Sequence, residues 1–262
     1  MSKQQSLEQL LQNAAGEGNV SASTLQAIQV VDLGAQIQQG LGISVDDVMA
    51  SETVLVTLMP DDSGSIEAAG NAQLVRDGHN LVLESLTGSK KKDGVLVHTR
   101  YLNGRVLFPY CPLDQAVRMD GRNYRPSLGT PLYDQSVVVL STVLVKAQEF
   151  LDGGVPCRTV TFFITDGRDE HSQSQTPRTV KALVDDMLRT ENHIIGGMFI
   201  DDGVTNGRKI FRDMGIRDQW ILTPKNTSSE IRRAFNVVSQ SAVRASQGAQ
   251  SFSQTAAGGF GK

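Results

Sequence analysis

The sequence has few cysteines and no long apolar run. Only Cys111 and Cys157 occur in 262 residues, far apart and outside any C-x-x-C arrangement. This excludes a small disulfide-stapled scaffold, and we expect two buried free thiols, as in a reducing cytosol. No uninterrupted apolar stretch is long enough to cross a bilayer. The polar start lacks the basic and apolar regions of a secretory signal, so we expect a cytoplasmic protein.

Charge and aromatic content are also low. The formal net charge is -3, and Phe, Trp and Tyr together make up 5% of the residues. A chain with this charge has no general attraction to nucleic acid or anionic lipid, which disfavours both as partners. With 39% hydrophobic and 20% charged residues, the composition is that of an ordinary globular protein. It does not predict an oligomeric state.

Three regions differ in composition. Residues 1–51 carry apolar residues at helical spacing in two segments rich in Gln and Ala, which predicts a helical N-terminal extension of two helices. Their thin apolar faces must pack on the main domain or on another protein, and we favour the main domain. Residues 52–245 are predicted to form the main domain. Residues 246–262 are rich in Ser, Gln, Ala and Gly, which predicts a flexible C-terminal tail.

Strand and helix patterns alternate through the main domain. An apolar strand at 53–59 precedes one predicted helix over 66–86, and Asn103-Gly104 lies between two β-rich runs, as in a tight hairpin. A near-continuous apolar run at 157–165 predicts a strand buried on both faces. Later elements continue the alternation: helices at 177–190 and 207–215, strands at 193–200 and 219–223, and a long helix from about residue 228. We therefore predict an α/β fold with a doubly wound, Rossmann-like, mostly parallel sheet, one antiparallel edge strand and helices on both faces.

Oxygen-bearing side chains follow successive strands. Asp61, Ser63 and Ser65 come after the first strand, Thr130 stands where a helix begins, and Asp166 follows the strand at 157–165. Because the carboxyl ends of the strands form the ligand crevice of an open α/β sheet, these segments can converge there. Carboxylates and hydroxyls form an all-oxygen set that suits Mg²⁺, with Mn²⁺ or Ca²⁺ as alternatives. No His or Cys lies in these motif positions, which disfavours zinc.

Each segment alone has a simpler interpretation. Asp and Ser after a strand are common helix caps, Thr130-Pro131 fits a cap followed by a first-turn proline, and Asp166-Gly167 fits a turn. Their order and complementary chemistry favour the joint interpretation as a metal site. Hydroxyl ligands are neutral, so the cation would stay under-neutralised and would attract a carboxylate from a partner.

These motifs resemble the von Willebrand factor A-type (VWA) domain and its metal-ion-dependent adhesion site (MIDAS), written D-x-S-x-S, then a distant Thr, then a distant Asp. The flanks "LGTPLYD" and "FFITDG" are similar to the second and third motifs of the family, and the resemblance covers about residues 53–238. It implies that Ser63, Ser65 and Thr130 contact the cation directly, whereas Asp61 and Asp166 act partly through bound water. It also implies that the cation accepts an acidic side chain of a partner protein.

Within the family, the chain is most similar to bacterial cytoplasmic single-domain proteins encoded with tellurium-resistance and stress-response clusters. Two positions depart from the family pattern. Pro60 replaces the apolar residue usual before the first aspartate, which costs no ladder bond at a strand end. Asp62 adds a carboxylate, whose charge could strengthen cation binding or repel an acidic ligand.

Two other functions are compatible with parts of the sequence. A phosphohydrolase could use Asp61 as nucleophile, with Asp201, Asp202 and Asn206 as its late acidic motif. However, Ser63 stands where that chemistry needs a second carboxylate. We therefore expect no enzymatic activity, and we interpret Asp201-Asp202 as a solvated turn and His171 as a lone surface residue. Alternatively, the metal is only structural and the N-terminal helices bind the partner.

Overall fold

A six-stranded sheet organises the main domain. The structure, a computed structural model, describes residues 6–30 and 33–261. The strands lie in the order β3-β2-β1-β4-β5-β6, and every neighbouring pair is parallel except β2 with β3. This confirms the predicted fold class. The strands are β1 (Thr53–Pro60), β2 (Val95–Arg100), β3 (Val106–Pro112), β4 (Cys157–Thr165), β5 (His193–Phe199) and β6 (Ile221–Leu222).

Helices connect the strands and cover the sheet. Helix α5 packs against α9, and α6 packs against α7. Strands β1 and β4 lie at the centre, and all eight residues of β1 are buried, as expected for a parallel strand covered on both faces. The helices are α1 (Leu7–Gly16), α2 (Ala22–Val30), α3 (Gly34–Leu41), α4 (Gly64–Ala68), α5 (Ala72–Thr87), α6 (Leu132–Asp152), α7 (Pro177–Arg189), α8 (Gly207–Asp213), α9 (Ser228–Ala245) and α10 (Ala249–Gly258).

The N-terminal extension packs on the main domain, as favoured from the sequence. Helices α1 and α3 contact α6, and α2 contacts α7. The predicted second helix is present as α2 and α3, and its middle, residues 31 and 32, lies outside the described residues. The extension also supplies hydrogen-bond acceptors. The buried cations Arg100 and Lys146 donate to the main-chain carbonyls of Gln36 and Ile43, respectively.

The predicted single helix over 66–86 is wrong, because the chain forms α4 and α5 there. Gly70 has a φ of 71°, in the left-handed region that ends helices. The Gly70 N–H bonds to the carbonyl of Glu67, and the Asn71 N–H bonds to that of Ile66. This pattern closes the last turn of α4, so the chain starts a new helix at Ala72.

The predicted flexible tail is also corrected, because residues 249–258 form α10. Phe252 and Phe260 are buried, and the ring centroids of Trp220 and Phe260 lie 4.9 Å apart. The indole N–H of Trp220 donates to the carbonyl of Ala256 at 3.2 Å. The segment is mostly polar in sequence, but it contains two large apolar residues, Phe252 and Phe260, whose burial holds this part of the chain against the sheet.

Cys111 and Cys157 are both buried and free, as predicted, and burial raises the pKa of each thiol, to about 11 and about 12. Across residues 6–30 and 33–261, none of the helices combines the length and apolar character that a bilayer span requires.

Candidate metal centre

The two central strands bring the first and third motifs together. Strands β1 and β4 are parallel, and their register pairs Pro60 with Ile164. The pairing continues one residue further, because the Asp61 N–H donates to the Ile164 carbonyl at 2.8 Å. Asp61 and Asp166 therefore leave the sheet side by side at its carboxyl edge.

Asp61 is fixed by the protein on three sides. Its Oδ1 accepts the Ser63 N–H at 2.7 Å, and its Oδ2 accepts the Thr165 hydroxyl at 2.5 Å. Its carbonyl accepts the hydroxyl of Tyr124. The side chain is fully buried, so its carboxylate has one defined orientation.

Thr165 and Tyr124 were not found from the sequence. Thr165 could have been, because it ends β4 directly before Asp166 and faces the end of the adjacent strand. Tyr124 has no comparable signal, since its contact with Asp61 spans 63 residues of chain.

The two motif serines connect the carboxylates. The Oγ atoms of Ser63 and Ser65 lie 2.9 Å apart, and the Ser65 hydroxyl donates to Asp166 Oδ1 at 2.6 Å. Ser63 occupies the N-cap position of α4 but makes no side-chain capping bond. The hydroxyls are therefore directed at the carboxylates rather than at the helix end.

Thr130 reaches the same cluster. An ideal Cβ placed on Gly167 would lie 3.8 Å from Thr130 Oγ1 and 3.9 Å from Ser65 Oγ. The predicted helix cap at Thr130 is wrong, because Pro131 occupies the N-cap position of α6 and no side chain caps it. Within the part of the chain that the structure describes, Thr130 is 6% exposed and its hydroxyl makes no hydrogen bond. Thr130 thus carries a hydroxyl without a hydrogen-bond partner among the described residues, close to the Cβ position at Gly167 that Ser65 Oγ also approaches.

The loop after β4 holds Thr130 in place. The Thr130 N–H donates to Nδ1 of His171 at 2.9 Å, and its carbonyl accepts the Glu170 N–H at 3.1 Å. A Cβ on Gly129 would lie 2.7 Å from the His171 ring, so this close approach requires glycine. His171 is exposed, as expected, but its interpretation as a lone surface residue is wrong.

Asp62 is turned away from the cluster and towards the β2–β3 hairpin. Its Oδ1 accepts the Asn103 N–H at 3.0 Å, and its carbonyl accepts the Ser127 N–H at 2.9 Å. Ser63 and Leu128 form an isolated parallel bridge beside it. Asp62 therefore joins the first motif to both the hairpin and the loop before Thr130.

Two carboxylates, of Asp61 and Asp166, lie in this site, and that of Asp62 lies next to it. Asp61, Asp62 and Asp166 are 0%, 4% and 6% exposed, and none forms an ion pair within the described residues. Burial is the largest cause that raises the pKa of all three, to about 7 for Asp62 and about 6 for Asp166. The neighbouring Asp61 charge adds to the upward shift of the other two.

This arrangement fits a bound dication. Ionised carboxylates without cationic partners are costly in a buried site, and a divalent cation would offset that cost. Among the described residues, no group of three or more His, Cys, Asp or Glu side chains is arranged to hold a metal. A cation here would therefore also need neutral oxygen ligands. The hydroxyls available near the carboxylates are those of Ser63, Ser65 and Thr130, and that of Thr165, which is donated to Asp61.

Asp201 and Asp202 form a turn, as expected. Asp201 Oδ1 accepts the Gly203 N–H at 2.9 Å, and Asp202 accepts the N–H groups of Val204 and Thr205. Both carboxylates are thus used within their own loop. Asp202 contributes to the site only through its charge, as one of the smaller causes of the raised pKa of Asp166.

Comparisons with known proteins give a likeness of structure alone. No protein-family profile matches the chain, and no curated protein is detectably similar to it. The pilus adhesin SpaC from Lactobacillus rhamnosus GG, in an open conformation, superposes with a TM-score of 0.55 at 13% identity. The match covers 74% of this chain and 30% of the adhesin chain. A second structure of SpaC gives a TM-score of 0.55 at 12% identity, with 74% and 31% covered.

A weaker likeness extends to proximal thread matrix protein 1 from the mussel byssus, with a TM-score of 0.49 at 14% identity and coverage of 71% and 47%. The chain spans about a third of the length of the adhesin that it matches. At these identities the comparisons concern the fold and no further property. Together with the strand order β3-β2-β1-β4-β5-β6, the two adhesin structures support a doubly wound α/β fold for this chain.

Proposed function

We propose that this protein binds another protein through a divalent cation that accepts an acidic side chain of the partner. The convergence of three chain segments carries this proposal. Asp61, Ser63 and Ser65 follow β1, Thr130 precedes α6 and Asp166 follows β4. The Ser63 and Ser65 hydroxyls nevertheless contact each other, and Ser65 contacts Asp166. The hydroxyl oxygens of Thr130 and Ser65 lie 3.8 Å and 3.9 Å from one common point, the Cβ position at Gly167. Hard oxygen ligands favour Mg²⁺, and Mn²⁺ or Ca²⁺ can take the same ligands.

The residues have separate roles in this proposal. Asp61 and Asp166 supply the negative charge that attracts the cation, and the bonds from Ser63 and Thr165 keep Asp61 oriented. Ser63, Ser65 and Thr130 add neutral oxygens and so leave net positive charge on the cation. When bound, the cation supplies a positive centre that can accept a carboxylate from outside the chain.

The carboxylates can be tested by a nearly isosteric change. Asp61→Asn keeps an acceptor for the Ser63 N–H and places an amide beside Thr165, so the fold should persist while one ligand charge is lost. Titration calorimetry with MgCl₂ should show loss of binding in Asp61→Asn. Asp213→Asn, which changes an exposed carboxylate paired with Lys209, is the control and should bind Mg²⁺ as the wild type does. Equal Mg²⁺ affinity in Asp61→Asn and the wild type would refute the site.

Partner capture tests the bridging role. Proteins from the native host that are retained with MgCl₂ should be released by EDTA, and Asp61→Asn should not retain them. Retention that survives EDTA would favour the alternative in which the metal is structural and the N-terminal helices bind the partner.

We further propose that the site is not catalytic, because both carboxylate oxygens of Asp61 already accept hydrogen bonds and position 63 is a serine. Mg²⁺-dependent hydrolysis of p-nitrophenyl phosphate that is lost in Asp61→Asn would overturn this.

A further inference from the structure

Three arginines surround the loop between the hairpin and Thr130. We call Arg76, Arg105 and Arg125 the arginine shelf. Each donates to a main-chain carbonyl of residues 121–124: Arg76 to Tyr124 at 3.0 Å, Arg105 to Asn123 at 2.6 Å and Arg125 to Gly121 at 2.9 Å. The carbonyl groups hold these guanidinium groups in position, but because they are neutral they do not cancel the positive charge.

Within the described residues, no shelf arginine contacts a carboxylate directly, although the charge of Arg105 acts to lower the pKa of Asp62. Among the described residues, none of the three forms an ion pair, whereas Arg118 pairs with Glu84 and Arg122 with Asp120 close by. The surrounding segment, residues 101–130, contains four arginines and two aspartates in a chain whose net charge is -3. The shelf is therefore a local positive surface on a protein that is negative as a whole.

Aromatic stacking restrains two of the three shelf arginines, Arg76 and Arg105. The Arg105 guanidinium lies 5.4 Å from the Tyr101 ring, the Tyr101 and Tyr124 rings lie 5.4 Å apart, and the Arg76 guanidinium lies 5.8 Å from the Tyr124 ring. Both tyrosines are buried, at 1% and 0% exposure. Such cation–π contacts fix long side chains before a ligand arrives, which lowers the entropic cost of binding.

The shelf lies beside the candidate metal centre. Tyr124, in the middle of the stack, donates its hydroxyl to the Asp61 carbonyl. Asn103, two residues before Arg105, donates its N–H to Asp62. Leu128, which bridges to Ser63 and lies between Arg125 and Thr130 in sequence, is 53% exposed. A positive surface, an exposed apolar side chain and the metal site thus adjoin at one edge of the sheet.

We infer that the arginine shelf binds a second carboxylate of the same partner segment, so that the protein selects an acidic peptide over a single acidic residue. This inference rests on the proposed function, because the first carboxylate binds the cation. The occupant is an extended segment of another protein, with an apolar residue against Leu128 between its two acidic residues. Charge complementarity supports this choice, since an unpaired guanidinium recognises a carboxylate through two parallel hydrogen bonds.

Matched peptides test the selectivity. Two fluorescein-labelled ten-residue peptides in a Gly/Ser background would carry the core Asp-Leu-Gly-Asp or Asp-Leu-Gly-Asn. Fluorescence polarisation with MgCl₂ at low salt should show about tenfold tighter binding of the diacid peptide to the wild type, and the preference should shrink as salt screens the second contact. The double variant Arg105→Gln/Arg125→Gln should bind both peptides equally. Lys181→Gln/Lys209→Gln, which removes two cations from α7 and α8, should keep the preference.

The outcomes separate the two proposals. Chelator-sensitive binding of both peptides with equal affinity for the wild type would overturn the shelf and leave the proposed function intact. Failure of the Mg²⁺-loaded wild type to bind either peptide, or binding that EDTA does not affect, would count against the proposed function itself. Arg105→Lys/Arg125→Lys keeps the charge and should retain most of the preference with unchanged Mg²⁺ affinity. If Arg105→Gln/Arg125→Gln and Arg105→Lys/Arg125→Lys both lost the preference for the diacid peptide and also lost Mg²⁺ affinity, the arginines would only hold the loop in place.

Discussion

The imidazole Nδ1 of His171 accepts the main-chain N–H of Thr130 at 2.9 Å. This bond joins the loop after β4, which begins with Asp166, to the residue just before α6. Two of the segments that carry candidate ligands are therefore held together by a residue that is not itself a ligand. The acceptor role places the ring proton, in the neutral imidazole, on Nε2.

Removing His171 should loosen Thr130 without removing any ligand. We expect His171→Ala to weaken Mg²⁺ binding by about 3- to 30-fold, because a freed loop must be ordered again when the cation binds. His171→Asn offers a side-chain oxygen near the position of Nδ1 and should recover most of the affinity. Calorimetry of the two variants beside the wild type measures this. Equal losses in His171→Ala and His171→Asn would argue against the hydrogen bond as the cause.

The hydroxyl of Thr130 should matter for capture more than for folding. Thr130→Val keeps the shape of the side chain and removes an oxygen that has no hydrogen-bond partner within the described residues. We therefore expect the free energy of unfolding, from urea titration in EDTA, to change by less than about 1 kcal/mol. Mg²⁺-dependent binding should weaken at least severalfold, and Thr130→Ser should restore it. A variant that unfolds more easily yet binds Mg²⁺ normally would contradict the assignment of Thr130.

Acid should destabilise the fold through its buried histidines. Burial lowers the pKa of His79 from 6.5 to about 4, and its Nε2 lies 3.0 Å from the Thr99 hydroxyl. Between these two values the unfolded chain binds a proton that the native state does not, so stability falls as pH decreases through this window. His79 alone accounts for up to about 1.4 kcal/mol per pH unit.

The measurement compares the wild type with His79→Gln. Urea titrations at several values from pH 7 to pH 4.5 should give a shallower loss of stability for the variant, whatever the offset at pH 7. His193 and His98 have similarly lowered pKa values, about 4 and about 3, so part of the slope should remain. Parallel curves for the two proteins would exclude His79 as a contributor.

The buried guanidinium of Arg100 should cost stability rather than supply it. Arg100 is fully buried, and its Nε and Nη1 have no partner within the described residues. We expect Arg100→Met to leave the free energy of unfolding unchanged or to raise it by about 1–3 kcal/mol, because an apolar chain of similar length avoids desolvating the charge.

An ion-paired arginine on another strand provides the comparison for Arg100. Arg158 on β4 forms an ion pair with Glu52 at 3.0 Å, and Arg158→Met should lower stability by up to about 1 kcal/mol. Thermal unfolding of both variants shows whether each substitution raises or lowers the stability of the fold. A marked destabilisation by Arg100→Met would mean that the Gln36 carbonyl alone compensates the buried charge.

The sequence predicted the location of those site residues that directly follow a strand. Asp61 and Asp166 follow apolar runs that could only be central parallel strands, so their meeting at one sheet edge was predictable. The break between α4 and α5 was also readable in principle, since Gly70 supplies the left-handed residue that ends α4.

Other features depend on contacts that no local pattern encodes. The hydroxyl of Tyr124 on the Asp61 carbonyl and the imidazole of His171 on Thr130 join segments 63 and 41 residues apart. The sequence around Tyr124 and His171 carries no motif that predicts these bonds. The two residues reach Asp61 and Thr130 only because the loops pack together in the folded protein. The C-terminal helix was missed for a related reason. Phe260 becomes an anchor only when the folded sheet places Trp220 and Phe162 beside it, and Phe252 only when Arg158 lies over its ring.

The packing of α10 on Trp220 gives the protein a built-in optical probe. Trp220 is the sole tryptophan of the chain and is 3% exposed. It stands just before β6, the outermost strand of the sheet, whereas Asp61 and Asp166 follow the central strands β1 and β4. Its intrinsic fluorescence should shift to longer wavelength when the C-terminal helix separates from the sheet and water reaches the indole. Emission recorded during a Mg²⁺ titration therefore shows, without any label, whether cation binding after the central strands changes the packing beside β6.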